Sequence, residues 1–223
     1  MSMLQPDYNS IIKACAPAQV LAVSKLQPVE KIRQLYSMGQ RFFGENYVQE
    51  ALAKQEYLRD LPDIKWHLIG HVQKNKAKVI AGKFALIHSV DSLPLAQILS
   101  RQCEQQKVLQ KILLQINVAN EESKEGFTVS GIRSQWLELQ ALPGLSICGL
   151  MTMPPLTETA AEVRPYFKQL CQLQDELKQT ALAKHPMTEL SMGTSHDFTV
   201  AIEEGSTIVR LGTILFGERP LNK

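Results

Sequence analysis

The sequence predicts an α/β protein, a single (β/α)8 TIM barrel, on three observations. Eight short apolar runs alternate with amphipathic stretches from one end of the chain to the other. At 223 residues the chain lies in the range of about 200 to 250 over which such a barrel remains one domain. No long linker, low-complexity tract or close repeat interrupts the alternation, so residues 1–223 read as one unit. A composition that is 44% hydrophobic and 21% charged is enough for one substantial core.

The expected strands are "VLAVSK" (20–25), "RFFGEN" (41–46), "KWHLIG" (65–70), "FALIHSV" (84–90), "KILLQINV" (111–118), "LSICGLM" (145–151), "ELSMG" (189–193) and "TIVRLG" (207–212). Apolar residues dominate most of these runs, as a parallel sheet covered on both faces requires. Behind the first strand a helix is expected from Pro28, a favoured first helical residue. It carries Ile32, Leu35, Tyr36 and Met38 at near-helical spacing and closes at Gly39. The longest helical candidate, Thr159 to Thr180, follows the sixth strand. Between the last two strands a helix is expected from Asp197 through Val200, Ala201 and Ile202 to Gly205, with Ser195 or Asp197 available as its cap.

Composition excludes several function classes. Twenty-four basic residues nearly balance 22 acidic ones, and a net charge of +2 gives no broad basic surface for nucleic acid. No window approaches the roughly 18 consecutive apolar residues of a membrane span. The start, "MSMLQPDYNSIIKACAPA", lacks the charged segment and apolar core of an export signal, so a cytoplasmic protein is expected. Cys15, Cys103, Cys148 and Cys171 stand singly, which argues for reduced, mostly buried thiols. His67 and His71 are spaced H-x-x-x-H, but Gly70 and the strand assignment argue against a zinc-binding helix. "KNKAK" (74–78) reads as a solvated helix start.

Lys25 is the first chemical anomaly. It ends a run that otherwise reads as buried sheet, whereas lysine is almost never fully buried without a partner. Either it is the solvated end of a strand, or it is a site. In a barrel the strand C-termini form the mouth where active sites are built. Lys25 shares a face with Leu21 and Val23, so it can stand on an apolar layer and point into that mouth. Desolvation there lowers an amine's pKa and frees it as a nucleophile.

A second signal lies in "LSMGTSHDFTVAIEEGSTIVRLGTILFGER" (190–219). A small-residue loop, Ser191 to Ser195, leads into a helix, and the following strand ends at Gly212 and Thr213. Loops after barrel strands seven and eight frequently form a phosphate site. Unpaired N–H groups at a helix start and the hydroxyls of Ser191, Ser195 and Thr213 favour a dianion. Gly193 and Gly212 let the backbone approach it closely. Arg210 interrupts the last strand and faces inward if Ile208 does, so it needs an acceptor. A ligand ring nitrogen or carboxylate would serve, and so would a salt bridge with Glu45 or Glu218.

A Schiff-base lysine, an anion site and an inward arginine match the aldehyde, phosphate and pyridine nitrogen of pyridoxal 5′-phosphate (PLP). The chain also resembles the pyridoxal phosphate homeostasis proteins, through "LAVSK", "FGENYVQE", "WHLIGHVQKNK", "HSVDS", "NEESKEGF", "GLMTM" and the 190–217 segment. That resemblance implies a barrel similar to the N-terminal domain of alanine racemase, binding PLP without an established reaction. By position, it implies that Lys25 is the Schiff-base residue and that Ser191, Ser195, Gly212 and Thr213 hold the phosphate. Arg210 would face the pyridine nitrogen, with Asn46 and Met151 beside the ring.

The implied role is that of a monomeric carrier that supplies the cofactor to PLP-dependent apo-enzymes rather than that of an enzyme. The cationic arginine fits it, because it disfavours protonation of the ring nitrogen and so weakens the ring as an electron sink. An amino-acid racemase of the alanine racemase type is the alternative. It needs a second acid/base group opposite Lys25, which in alanine racemase is a tyrosine from a further domain. Tyr47 is a substitute, but a helix-face packing role is expected for it. A Schiff-base aldolase acting on a phosphorylated sugar is a third reading.

Overall fold

In a computed structural model of the chain, which describes residues 5–121, 124–155 and 157–217, eight parallel strands close into a barrel in sequence order. They are β1 (Gln19–Val23), β2 (Phe42–Glu45), β3 (Lys65–Leu68), β4 (Leu86–Val90), β5 (Gln110–Gln115), β6 (Leu145–Met151), β7 (Glu189–Thr194) and β8 (Ile208–Leu211). The helices are α1 (Gln5–Cys15), α2 (Val29–Ser37), α3 (Val48–Tyr57), α4 (Ala77–Ile80), α5 (Leu93–Gln106), α6 (Val129–Ala141), α7 (Arg164–Gln179), α8 (Phe198–Glu203) and α9 (Thr213–Phe216). The predicted fold class is thus the observed one.

Two apolar layers hold the barrel, and strand alternation assigns residues to them. Leu21, Leu86, Leu113, Cys148, Met151 and Ile208 fill the interior. Their chain neighbours Val20, Ala22, Ile87, Ile112, Leu114 and Val209 point outward into the larger layer beneath the helices. The helices answer with apolar stripes: α7 buries Phe167, Leu170, Leu173 and Leu177 at helical spacing. Every residue of β6 is buried, because both its faces are covered. Toward the C-terminal end the interior turns polar, with His67, His88, Ser191 and Arg210 all buried.

Several boundaries differ from the sequence expectation. β1 stops at Val23, and Lys25 sits in a turn where the Gln27 N–H donates to the Ser24 carbonyl at 3.0 Å. β5 stops at Gln115, and Asn117 then ties down a loop by donating to the carbonyls of Glu121 and Lys124. Pro28 occupies the N-cap of α2 rather than its first helical position. The segment 159–180 is not one helix: a 3₁₀ turn at Ala160–Val163, closed by a Thr159–Glu162 capping box, precedes α7. Proline 165 fits the first turn of that α-helix, where its missing N–H costs nothing. "KNKAK" forms a 3₁₀ turn and the start of α4, with Lys74 and Lys78 exposed. The four cysteines are free, and burial pushes the Cys15 and Cys103 thiols up to about 11. Among the described residues no helix is long and apolar enough to cross a membrane.

At Gly149 the backbones of β6 and β7 approach so closely that a Cβ would lie 1.8 Å from the Glu189 carbonyl oxygen. Gly149→Ala is therefore expected to lose about 3 kcal/mol or more of stability, because the strand pair must separate to admit a methyl group. Chemical denaturation of the variant checks this, and a loss within 1 kcal/mol, about the median for any substitution, would contradict it.

Candidate functional site

The C-terminal mouth of the barrel holds a cavity of about 290 Å³. Lys25 reaches it from the loop after β1, Asn46 from just beyond β2, Arg210 from β8, Ser195 and Gly212 from the loops after β7 and β8, and Thr213 from the start of α9. Residues distant in sequence but singled out by their chemistry therefore share one cavity. Met153 and His196, which sequence reasoning missed, also line it, both on its exposed side.

Three residues expected at this site do not line that cavity. Met151 is 1% exposed and packs in the interior with Leu21 and Ile208. Met153, two residues on and 53% exposed, borders the cavity in its place. The Ser191 hydroxyl is fully buried and engaged by protein groups: Arg210 Nη1 donates to it at 2.7 Å, and it lies 2.8 Å from His88 Nδ1. It is not free for a phosphate. Gly193, at φ +91°, is glycine for packing, since a Cβ there would lie 2.6 Å from the Ala201 Cβ on α8.

The backbone on both sides of Lys25 is clamped by a buried ionic cluster. Lys54 of α3 donates to the Ser24 carbonyl at 2.6 Å, to Glu45 Oε1 at 2.8 Å and to Glu50 Oε1 at 2.7 Å. The Ser24 hydroxyl donates to Glu45 Oε1, and the Leu26 N–H donates to Glu50 Oε1. Leu26 takes a φ of +58°, a conformation that these bonds hold. Burial pushes the Glu45 carboxyl up from its ordinary range, opposed by the Lys54 charge. Glu50 and Lys54 form an i,i+4 pair, a spacing visible in the sequence, whereas their bonds to the first loop are not.

At the opposite side the Ser195 hydroxyl accepts from the Gly212 N–H at 3.4 Å. Asp197, at the N-cap position of α8, does not cap that helix; its Oδ1 accepts from the Thr194 N–H at 2.6 Å and from the Thr194 hydroxyl at 2.9 Å. The β7–α8 loop is thereby fixed. At Gly212 a Cβ would meet nothing nearer than Val23 at 3.7 Å, so a side chain there would fill space that belongs to the cavity. Asn46 Oδ1 is buried with no hydrogen-bond partner among the described residues, as a group awaiting a polar ligand would be.

Arg210 makes no ion pair among the described residues. Glu45 faces Lys54 instead, and Glu218 lies outside the described residues. The guanidinium is held by neutral oxygens: the Ser191 carbonyl and hydroxyl at 2.7 Å each and the Thr152 carbonyl at 2.8 Å. Burial pulls its pKa down to about 10, which leaves it charged at neutral pH.

Residues 3–220 match the family model described as the alanine racemase N-terminal domain. The pyridoxal phosphate homeostasis protein of Aquifex aeolicus is 46% identical over 202 residues, covering 91% of this chain and 87% of that protein. The protein of the same name from Synechocystis sp. is 40% identical over 219 residues, covering 97% of this chain and 100% of that one. The chain belongs to the pyridoxal phosphate homeostasis protein family. PipY of Synechococcus elongatus PCC7942, solved with PLP bound, is 42% identical and superposes with a TM-score of 0.89 over 96% of this chain and 100% of its own. These relatives are named for homeostasis of a cofactor and not for a reaction.

In this family member the two motif histidines serve different surroundings. His67 is buried in the barrel interior, and His71 is exposed and contacts Asp91 Oδ2 at 3.1 Å. Tyr47 packs no helix face; it stands at the N-cap of α3, 53% exposed.

Two measurements check this geometry. Lys54→Met leaves Glu45 buried without its partner and is expected to cost about 3–5 kcal/mol, most of it recovered by adding Glu45→Gln. Equal stability of the single and double variants in urea would contradict the clamp. Burial holds His67 down at about 4, below its unfolded value of about 6.5. The stability it contributes is therefore fully present above pH 6.5 and is lost as pH falls toward 4, on the order of 3 kcal/mol. Unfolding measured from pH 7 to pH 4 should show a shallower decline in His67→Gln than in the unsubstituted protein, and an unchanged slope would contradict the assignment.

Proposed function

We propose that this protein binds pyridoxal 5′-phosphate in the mouth cavity, holds it as a Schiff base on Lys25 and supplies it to PLP-dependent apo-enzymes. One observation carries the reading: a single cavity is lined by Lys25 at one side, by Ser195, Gly212 and Thr213 at another, and by an arginine that has no carboxylate partner among the described residues. The cofactor supplies an aldehyde for the amine and a phosphate dianion for the loops. In this reading Ser195, Thr213 and the backbone at Gly212 grip the phosphate, and Asn46 meets a polar ring substituent through its amide oxygen, which has no partner among the described residues. Arg210 donates to the ring nitrogen, and Met153 takes the ring-side place expected of Met151. The orphaned Asn46 oxygen and the side-chain-free space at Gly212 support the fit. We further read the protein as a cytoplasmic monomer whose protein partners are acceptor apo-enzymes.

The racemase reading needs an acid/base group facing Lys25 across a bound substrate. His196 lines the cavity and Tyr47 the neighbouring pocket that shares Asn46 with it, and both are exposed to solvent. Water competes with such groups for any proton, which favours holding over turnover.

Borohydride treatment of the PLP-incubated protein should leave a phosphopyridoxyl mass on Lys25, and Lys25→Ala should show none. Ser195→Ala with Thr213→Val should weaken PLP uptake at least tenfold, because charge-assisted bonds to the phosphate are lost. Label on another lysine in the unsubstituted protein, or robust racemisation of ordinary amino acids, would overturn the proposal.

A further inference from the structure

Inside the barrel runs a chain of hydrogen bonds that cofactor holding does not by itself require. Arg210 Nη1 donates to Ser191 Oγ at 2.7 Å, Ser191 Oγ lies 2.8 Å from His88 Nδ1, and His88 Nε2 lies 2.9 Å from His67 Nδ1. Four strands contribute one member each: β8, β7, β4 and β3. Ser191 and His88 are 0% exposed and His67 and Arg210 are 4% exposed, so the chain is closed off from bulk solvent.

Counting protons fixes its direction. A guanidinium only donates, so the Ser191 oxygen must accept from Arg210. The single Ser191 proton then has one acceptor among the described residues, His88 Nδ1, which must be bare. Burial holds both rings neutral, His88 well below its ordinary range and His67 at about 4. A neutral His88 with a bare Nδ1 carries its proton on Nε2 and gives it to His67 Nδ1, so His67 is also protonated on Nε2. The opposite order would leave the Ser191 proton buried without an acceptor, a costly arrangement.

The direction has a consequence for the cation. Three of the five N–H donors of Arg210 go to Ser191 Oγ, the Ser191 carbonyl and the Thr152 carbonyl. The other two meet no acceptor among the described residues, and Arg210 borders the cavity. Every partner behind it is neutral. The carboxylate whose field reaches it, Asp197, is engaged with Thr194.

We propose that Ser191, His88 and His67 are positioning residues, a one-way neutral chain that fixes the guanidinium's orientation without neutralising it. Arg210 then keeps two donors and an undiminished charge for the cavity, and one of those donors can bond the single lone pair of an unprotonated heteroaromatic nitrogen. A carboxylate in place of Ser191 or His88 would offset the charge and ease protonation of that nitrogen. The ligand half of the inference rests on the function proposed above; the proton order does not.

The test uses the full chain with ¹⁵N-labelled histidine, first without cofactor. Long-range ¹H–¹⁵N spectra at pH 7 are expected to show His67 and His88 each as a single Nε2–H tautomer. Ser191→Ala should let His88 populate both tautomers, and Ser191→Thr, which keeps the hydroxyl, should restore one. After loading with PLP labelled at the ring nitrogen, the unsubstituted protein should show that nitrogen unprotonated. In Ser191→Ala its protonated fraction should rise and PLP should dissociate about tenfold faster, as expected for loss of a buried bond to a charged group. An Nδ1–H tautomer on His88 overturns the proposal, as does a Ser191→Ala protein unchanged in both spectra. If the unsubstituted protein takes up no PLP, the function proposed above fails, while the histidine tautomers of the unloaded protein still decide the chain.

Discussion

Arg210 and Glu45, on strands that both border β1, never meet, and the reason organises the whole site. Successive side chains on a strand point to opposite faces. In β8 that rule turns Ile208 and Arg210 inward, and in β2 it turns Phe43 and Glu45 outward toward the helices. Each buried ionic group must therefore be satisfied within its own layer. Between sheet and helix, Glu45 finds the ammonium of Lys54. Inside the barrel, among the described residues, Arg210 finds only carbonyls, a hydroxyl and, beyond that, imidazole.

The two solutions have different physical consequences. Removing one partner from the outer ion pair strands a charge in a dry place, so the pair locks α3 to the first loop and holds the backbone on either side of Lys25. The inner arrangement distributes one positive charge over neutral dipoles and leaves it chemically available. The amine-bearing loop is consequently held from behind by ions, while the space in front of it is shaped by a cation that has no counter-ion among the described residues. On the proposed function these are the two requirements of a reactive-aldehyde holder: a steady nucleophile and a ring kept electronically quiet.

Sequence patterning made the barrel legible because each strand carries an apolar run and the runs alternate with helical stretches. Lys25, Ser195, Arg210, Gly212 and Thr213 could be picked out as chemically odd at strand ends, and they share one cavity. Met151 was expected beside the ring by family resemblance alone, and the strand geometry shows why it does not line the cavity. The strand rule carries its side chain into the interior with Leu21, and the cavity begins only in the loop beyond, where Met153 stands and alternation no longer applies. Ser191 fails for another reason. A hydroxyl in a small-residue loop looks the same whether its partner is a ligand or protein, and here the deciding group, His88, lies 103 positions away. Gly193 is glycine because of Ala201 on the neighbouring helix, a packing fact that one-dimensional spacing does not carry.

Burial decides what the remaining groups can do. Proton transfer at a reacting carbon calls for a second acid or base shielded from water and aimed across the cavity from the amine. Within the barrel interior, His67 and His88 are shielded and committed to each other and to Ser191, and the buried Asp197 beside the mouth is engaged with Thr194. His196, which lines the mouth cavity, and Tyr47, at the N-cap of α3, stand in solvent. The fold thus assigns dryness to the groups that orient the arginine and exposure to the groups that could exchange protons. That partition suits a cavity that binds and releases a cofactor better than one that turns over a substrate, because it strengthens electrostatic positioning while leaving the exit side hydrated.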